Sequence, residues 1–172
     1  PSALVEARTL LALGRSAVRF SRDEEAVPSF EAAAERAAAL GDEGYETRVI
    51  ALLMLSHVQQ GLARLDDAQR ALDQCIALCE EHGDHLHLAG AMNNRGLLWG
   101  HLGDRERMVA DMERGVALAR TLGQDALEFI VRYNLGESLY LMDDLDAAEP
   151  HVRRAMEIER RLRGDAGRPQ VL

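Results

Sequence analysis

Apolar residues return every third or fourth position along the start of the chain, at Leu4, Ala7, Leu11, Ala17 and Val18. Leu10, Leu13 and Phe20 widen the stripe. That spacing marks one face of a 3.6-residue helix and predicts a helix over 2–20. Ser21 and Glu24 have the Ser-x-x-Glu spacing of a capping box, which predicts Ser21 as the start of a second helix. This helix runs through Phe30, Ala33, Ala37 and Leu40 and stops at Gly41-Asp42, with Pro28 expected near its first turn. A third helix over 45–60 is apolar nearly all round and should be covered on more than one side. A fourth over 67–82 places Ala68, Leu72, Cys75, Ile76 and Cys79 on one face. Further helices follow over 85–102, 105–122, 125–142 and 146–163, so the expected class is all-α. The Gly- and Pro-containing stretch 166–172 is expected to fray.

The stops at Gly41, Gly83, Gly123 and Gly164 fall at intervals of 42, 40 and 41 residues, with two helices in each interval. Gly14, Ser56, Gly96 and Gly136 share one phase of the period. Ala26, Ala68, Met108 and Ala148 follow at a second phase, then Phe30, Leu72, Met112 and Val152 at a third, and Ala33, Cys75, Gly115 and Ala155 at a fourth. Small residues recur where two helices must approach closely, and bulky ones where a gap must be filled. The segments 93–104 and 134–144 repeat most visibly, each with Asn before Gly, an apolar stretch and an acidic turn.

These residues resemble the tetratricopeptide repeat (TPR), whose signature is Leu-Gly-x-x-Tyr followed by Ala-x-x-x-Phe. Leu13-Gly14 with Ala26 and Phe30 fits it, as does Leu135-Gly136 with Ala148 and Val152, while Gly96 with Trp99 fits the first half. The second unit departs through Ser56, and the period near 41 exceeds the usual 34. Long-period arrays of this kind are similar to those of kinesin light chains and of bacterial signalling and regulator proteins. The resemblance implies a right-handed superhelical solenoid of four antiparallel helix hairpins, forming a single domain over 1–165. Its repeats would cover approximately 2–42, 43–84, 85–124 and 125–165. The chain starts at Pro1 and is expected to be a fragment of a larger protein.

In this family the first helix of each unit lines a concave groove that binds peptides. Carried over, that implies Leu11, Ala12, Arg15 and Val18, then Leu53, Met54, His57 and Gln60. The third unit offers Asn93, Asn94, Leu97 and Gly100, and the fourth Tyr133, Asn134, Glu137 and Tyr140. An amide both donates and accepts, so Asn94 and Asn134 suit a peptide backbone. The competing explanation is that they bond their own or a neighbouring helix. Tyr133 and Tyr140 add rigid area with a polar tip. Lys is absent from the chain, so the Lys/Asn/Arg clamp of chaperone-tail-binding relatives is not evident. The expected partner is a protein or peptide, as a partly apolar helix or extended segment.

Hydrophobic residues make up 47% of the 172 residues but aromatics only 4%, so Ala, Leu, Val and Met must build the core. A net charge of −9 argues against nucleic-acid partners and against adsorption to anionic membranes. No apolar run reaches the roughly 18 residues of a membrane span. Cys75 and Cys79 lie four apart on one helix, poor geometry for a disulfide, and reduced thiols in the cytoplasm are expected. No Gly-rich phosphate loop, nucleophile motif or carboxylate pair stands out, so neither catalysis nor a cofactor is expected. Cys79, His82, Asp84, His85 and His87 cluster round one turn, and a metal-dependent enzyme there is the least favoured alternative. Acidic residues at the turns, such as Asp66-Asp67 and Asp143-Asp144, favour helix starts.

The two ends differ. Val152, Ala155, Met156, Ile158 and Leu162 form one stripe on the last helix, backed by arginines, which reads as a terminal cap. The first helix is apolar over a wider arc including Leu4, Val5 and Leu10, which predicts a cover there: further repeats, or a second copy in a homodimer.

Overall fold

A computed structural model describes residues 2–166 and contains eight α-helices. They are α1 (Ala3–Arg19), α2 (Asp23–Ala38), α3 (Tyr45–Gly61), α4 (Leu65–His82), α5 (His85–His101), α6 (Arg105–Thr121), α7 (Asp125–Leu141) and α8 (Leu145–Ala166). A short 3-10 turn, Gly41–Gly44, precedes α3. Of the stretch expected to fray, Ala166 is the last residue of α8, and 167–172 lie outside the described residues. The chain divides into two compact units between His87 and Leu88.

In the first unit α1 packs on α2, α2 on α3 and α3 on α4, so the apolar helix α3 is covered from two sides as its composition requires. In the second unit Trp99, Met108, Met112, Val116, Val131, Leu135, Leu139 and Ala148 form one core. The recurrent small residue supplies the closest approach inside each hairpin. A methyl group added at Gly14 would stand 2.5 Å from the Phe30 ring, and one at Gly136 would stand 2.6 Å from Val152. At Gly96 it would collide with Met112. Phe30 and Met112, each fully buried, therefore fill a hollow that only a residue lacking Cβ leaves open. Ser56 occupies the same phase, fully buried, and its hydroxyl folds back to donate to the Leu53 carbonyl at 2.8 Å.

Turn chemistry departs from the sequence expectation in two respects: α8 runs on through the expected stop at Gly164 to Ala166, and α2 starts without the expected cap. Ser21 is not a helix cap: it adopts φ 55°, and Arg22 precedes α2 with no side-chain cap bond. Ala63, Gly103 and Asp143 stand at the same phase and share the left-handed conformation, with φ of 57°, 73° and 61°. Reversal of the chain within so short a connection requires that conformation, whatever the residue. The acidic caps lie elsewhere. Asp84, Asp104 and Asp144 accept the amides of His87, Arg107 and Ala147 at 3.0, 3.0 and 3.2 Å. Pro28 and Pro150 fall in the second turns of α2 and α8 rather than the first.

Gly96→Ala should lower stability by about 1–3 kcal/mol, because Met112 is boxed in on all sides. Gly90, also within α5, has open space around it, so Gly90→Ala should raise stability by about 0.5–1 kcal/mol. Thermal melts of the two variants give opposite signs if helix separation is set at Gly96; a neutral Gly96→Ala would contradict it.

Candidate functional site

Of the groove positions in the first unit, Arg15 on α1 and His57 on α3 are exposed, Leu53 and Met54 are half-buried, and Gln60 is buried. At the outer face of α1, Leu4 and Leu10 are half-buried, while Val5, Leu13 and Phe20 are exposed.

In the second unit the three Asn side chains meet. Asn134 Nδ2 on α7 donates to Asn93 Oδ1 on α5 at 2.9 Å, and Asn93 Nδ2 donates to Asn94 Oδ1 at 3.2 Å. Asn93 is buried and Asn134 half-buried, so this amide chain links two helices at its inner end. Leu97, Gly100 and Glu137 come together round a cavity of about 280 Å³ between α5 and α7. Tyr133, Glu137 and Tyr140 line a second, open groove of about 680 Å³ between α7 and α8. Its other wall is Leu145, Val152 and Met156 of α8, with Arg153 and Arg160 at the rim.

The α8 side of this groove was not read as a binding surface in the sequence. The apolar positions of α8 split between two faces: Ala155 and Ile158 enter the core, whereas Met156 and Leu162 are exposed. The last helix is therefore not a one-striped cap. Leu145, Val152 and Met156 recur at spacings of seven and four, which is the signal that marks their separate face.

The hairpin α5–α6 is held by a clamp beside these positions. Arg95 Nε and Nη2 donate to the two carboxylate oxygens of Asp111 at 2.7 and 2.9 Å, and Trp99 Nε1 donates to Oδ2 at 2.9 Å. The Arg107 guanidinium lies 4.0 Å over the Trp99 ring. Between α7 and α8, the buried Glu128 accepts from Arg132 Nε at 2.7 Å, with Arg154 at 3.9 Å. His151 on α8 has a buried Nδ1 without a hydrogen-bond partner; burial, then the nearby Arg132 charge, push its pKa down.

The histidine-rich turn of the first unit is a latch. Asp84 Oδ2 accepts from the Tyr45 hydroxyl at 3.0 Å and meets His87 Nδ1 at 2.7 Å. Burial works to raise the Asp84 carboxyl, but the His87 backbone and ring and the Tyr45 hydroxyl outweigh it and hold it below the usual range. His82 stacks on Tyr45 with ring centroids 4.1 Å apart. Cys75 and Cys79 are buried and free, and their mutual hydrogen bond, with burial, pushes the Cys75 thiol up. Among the described residues no group of three or more His, Cys, Asp or Glu could hold a metal ion.

No family sequence model matches the chain, and no curated protein matches it by sequence. Solved structures do match. BtubC (BKLC) from P. vanneervenii superposes with a TM-score of 0.77 at 21% identity, covering 96% of this chain and 68% of that one. A putative kinesin light chain of Podosopora anserina with nearly identical TPR-like repeats gives 0.67 at 16%, covering 91% and 76%. MamA gives 0.63 at 17%, covering 92% and 81%. At these identities the likeness establishes the fold, which is an all-α, TPR-like repeat. Among the described residues no helix is long and apolar enough to cross a membrane.

His151 gives a pH signature. Its folded-state pKa is lowered, so as pH falls below about 6.5 the unfolded chain takes up the proton first and stability drops. Thermal melts between about pH 7.5 and about pH 5 should show that loss, and His151→Leu should shrink it. An equal loss in the variant would place the proton elsewhere.

Proposed function

We propose that the chain is a non-enzymatic protein-interaction module that binds an amphipathic helix or extended peptide in the groove between α7 and α8. The TPR-like fold supports the general reading, since its solved neighbours are repeat proteins of this kind. The observation that carries the finer one is exposure out of register. Tyr133 and Met156 are 47% and 48% exposed, whereas Asn93 and Val116, at the same phases one repeat earlier, are 6% and 7% exposed. In that earlier pair the next helix, α7, provides the cover. Tyr140 and Leu145 extend the uncovered apolar surface. Two tyrosines, a Met and a Leu make a receptive surface that adapts to an apolar stripe, and Glu137, Glu149, Arg153 and Arg160 offer both charges to its flanks. Asn94 and Asn134 would meet the polar edge of the same ligand. A module of this kind would serve as the scaffolding or sensing part of a larger signalling protein.

The test is a displayed library of helical peptides panned on the protein, with affinities of the selected peptides then measured. Tyr133→Ala with Tyr140→Ala should weaken them by tenfold or more while leaving the melting curve unchanged. Undiminished affinity in that double variant would sink the reading.

Self-association is a second reading, favoured by Val5, Leu13 and Phe20, which are 50%, 55% and 66% exposed on α1 and the turn after it. Light scattering should then show a concentration-dependent dimer that Val5→Arg with Phe20→Arg abolishes. A wild-type monomer at every concentration removes this reading.

A further inference from the structure

A cavity of about 430 Å³ lies between α2, α3 and α4 of the first unit, with Leu52 and Ala71 on its floor. Gln59 of α3 lines it, is only 4% exposed, and has a buried Oε1 with no hydrogen-bond partner. Amide chemistry is foreign to this phase of the repeat, where the other units carry Ala17, Trp99 and Leu139. An oxygen so placed requires a donor. Glu31 and Glu35 stand one turn apart on the α2 wall, and neither forms an ion pair among the described residues. Asp67 and Arg70 on the α4 wall pair with each other.

The corresponding niche of the second unit, between α6, α7 and α8, is filled from within. Arg132 stands at the phase of Leu52, His151 at that of Ala71 and Arg154 at that of Gln74. The chain's own guanidinium groups occupy it: Arg132 on Glu128 at 2.7 Å and Arg154 at 3.9 Å from the same carboxylate. Glu113, at the phase of Glu31, adds its negative charge beside His151. In the first unit smaller side chains stand at those phases, Glu31 keeps the phase of Glu113 with Glu35 one turn on, Arg48 stands at the phase of Glu128, and the space is open.

We propose that the first-unit niche binds a guanidinium group from outside the chain, either free arginine or an arginine side chain of a partner peptide. A planar fork of five donors serves the Gln59 oxygen and the Glu31 carboxylate together, and the arginine methylenes suit a floor of Leu52 and Ala71. Arg48 stands at the far end of the cavity, eleven residues or about 16 Å along α3 from Gln59. There it meets the carboxylate or backbone carbonyl of the same ligand. This site is independent of the α7–α8 groove and stands or falls without it.

Calorimetric titration of the full chain with L-arginine, and with a short peptide carrying one central arginine, tests the assignment. Saturable binding of either is expected, reduced tenfold or more when citrulline, the neutral isostere, replaces arginine. Glu31→Gln and Gln59→Leu should each weaken it. Gln59→Leu copies Leu139 and should melt no lower than the wild type, so a loss of binding there is not a loss of fold. Binding of free arginine assigns a small-molecule ligand, and binding of the peptide alone assigns a partner chain. No binding of either, equal binding of citrulline, or undiminished binding in both variants overturns the proposal.

Discussion

The structure depends on one contact repeated down the chain: a residue without bulk on the first helix of a hairpin, and a large side chain on the second pressed into the hollow it leaves. Gly14 under Phe30, Gly96 under Met112 and Gly136 under Val152 set how closely the paired helices lie. Close approach excludes water from the seam and lets a core poor in aromatics reach native density with Ala, Leu and Met. Ser56 shows the limit of the rule. Its hydroxyl is tolerated because it bonds within its own helix, leaving no unsatisfied polar atom in the seam.

The hairpins were legible in the sequence because this contact leaves a fixed trace, small then bulky, sixteen residues apart. Three of the four Gly stops were legible for a similar reason: Gly41, Gly83 and Gly123 take positive φ, which glycine does at little cost, whereas α8 continues through Gly164. The turns inside the hairpins were not, since Ser21, Ala63 and Asp143 adopt the same conformation with no glycine to announce it. Ser21 followed by Glu24 imitated a capping box. Tertiary closure of the hairpin decided the backbone instead, and the Ser side chain was left exposed. For the candidate site, Tyr133, Glu137 and Tyr140 could be placed from the family pattern, but their α8 neighbours could not. A helical stripe tells which residues are apolar, and only packing tells which of two apolar faces is covered.

The two units share a plan and spend it differently. Where the second unit fills the niche behind its middle helix with Arg132, His151 and Arg154, the first leaves Leu52, Ala71 and Gln74 and a cavity. The filled version carries buried charge that must be mutually compensated, which Glu128 does at 2.7 Å. The open version carries an uncompensated amide oxygen instead. Repeats thus diverge at the positions facing this niche while the Gly hollows hold the frame constant. Such an arrangement separates the residues that shape the scaffold from those free to acquire ligands.

The spacing of the Gly contact also bears on how the chain comes together in time. Each one joins residues sixteen apart on either side of a tight turn, so the loop closed before any reward is short and the entropy lost is small. A hairpin can therefore assemble before its neighbours exist, as the chain leaves the ribosome, and present its apolar flank as a template for the next. Low contact order of this kind favours rapid folding. It also means that damage at one hairpin, such as a side chain forced into its glycine hollow, stays local in origin.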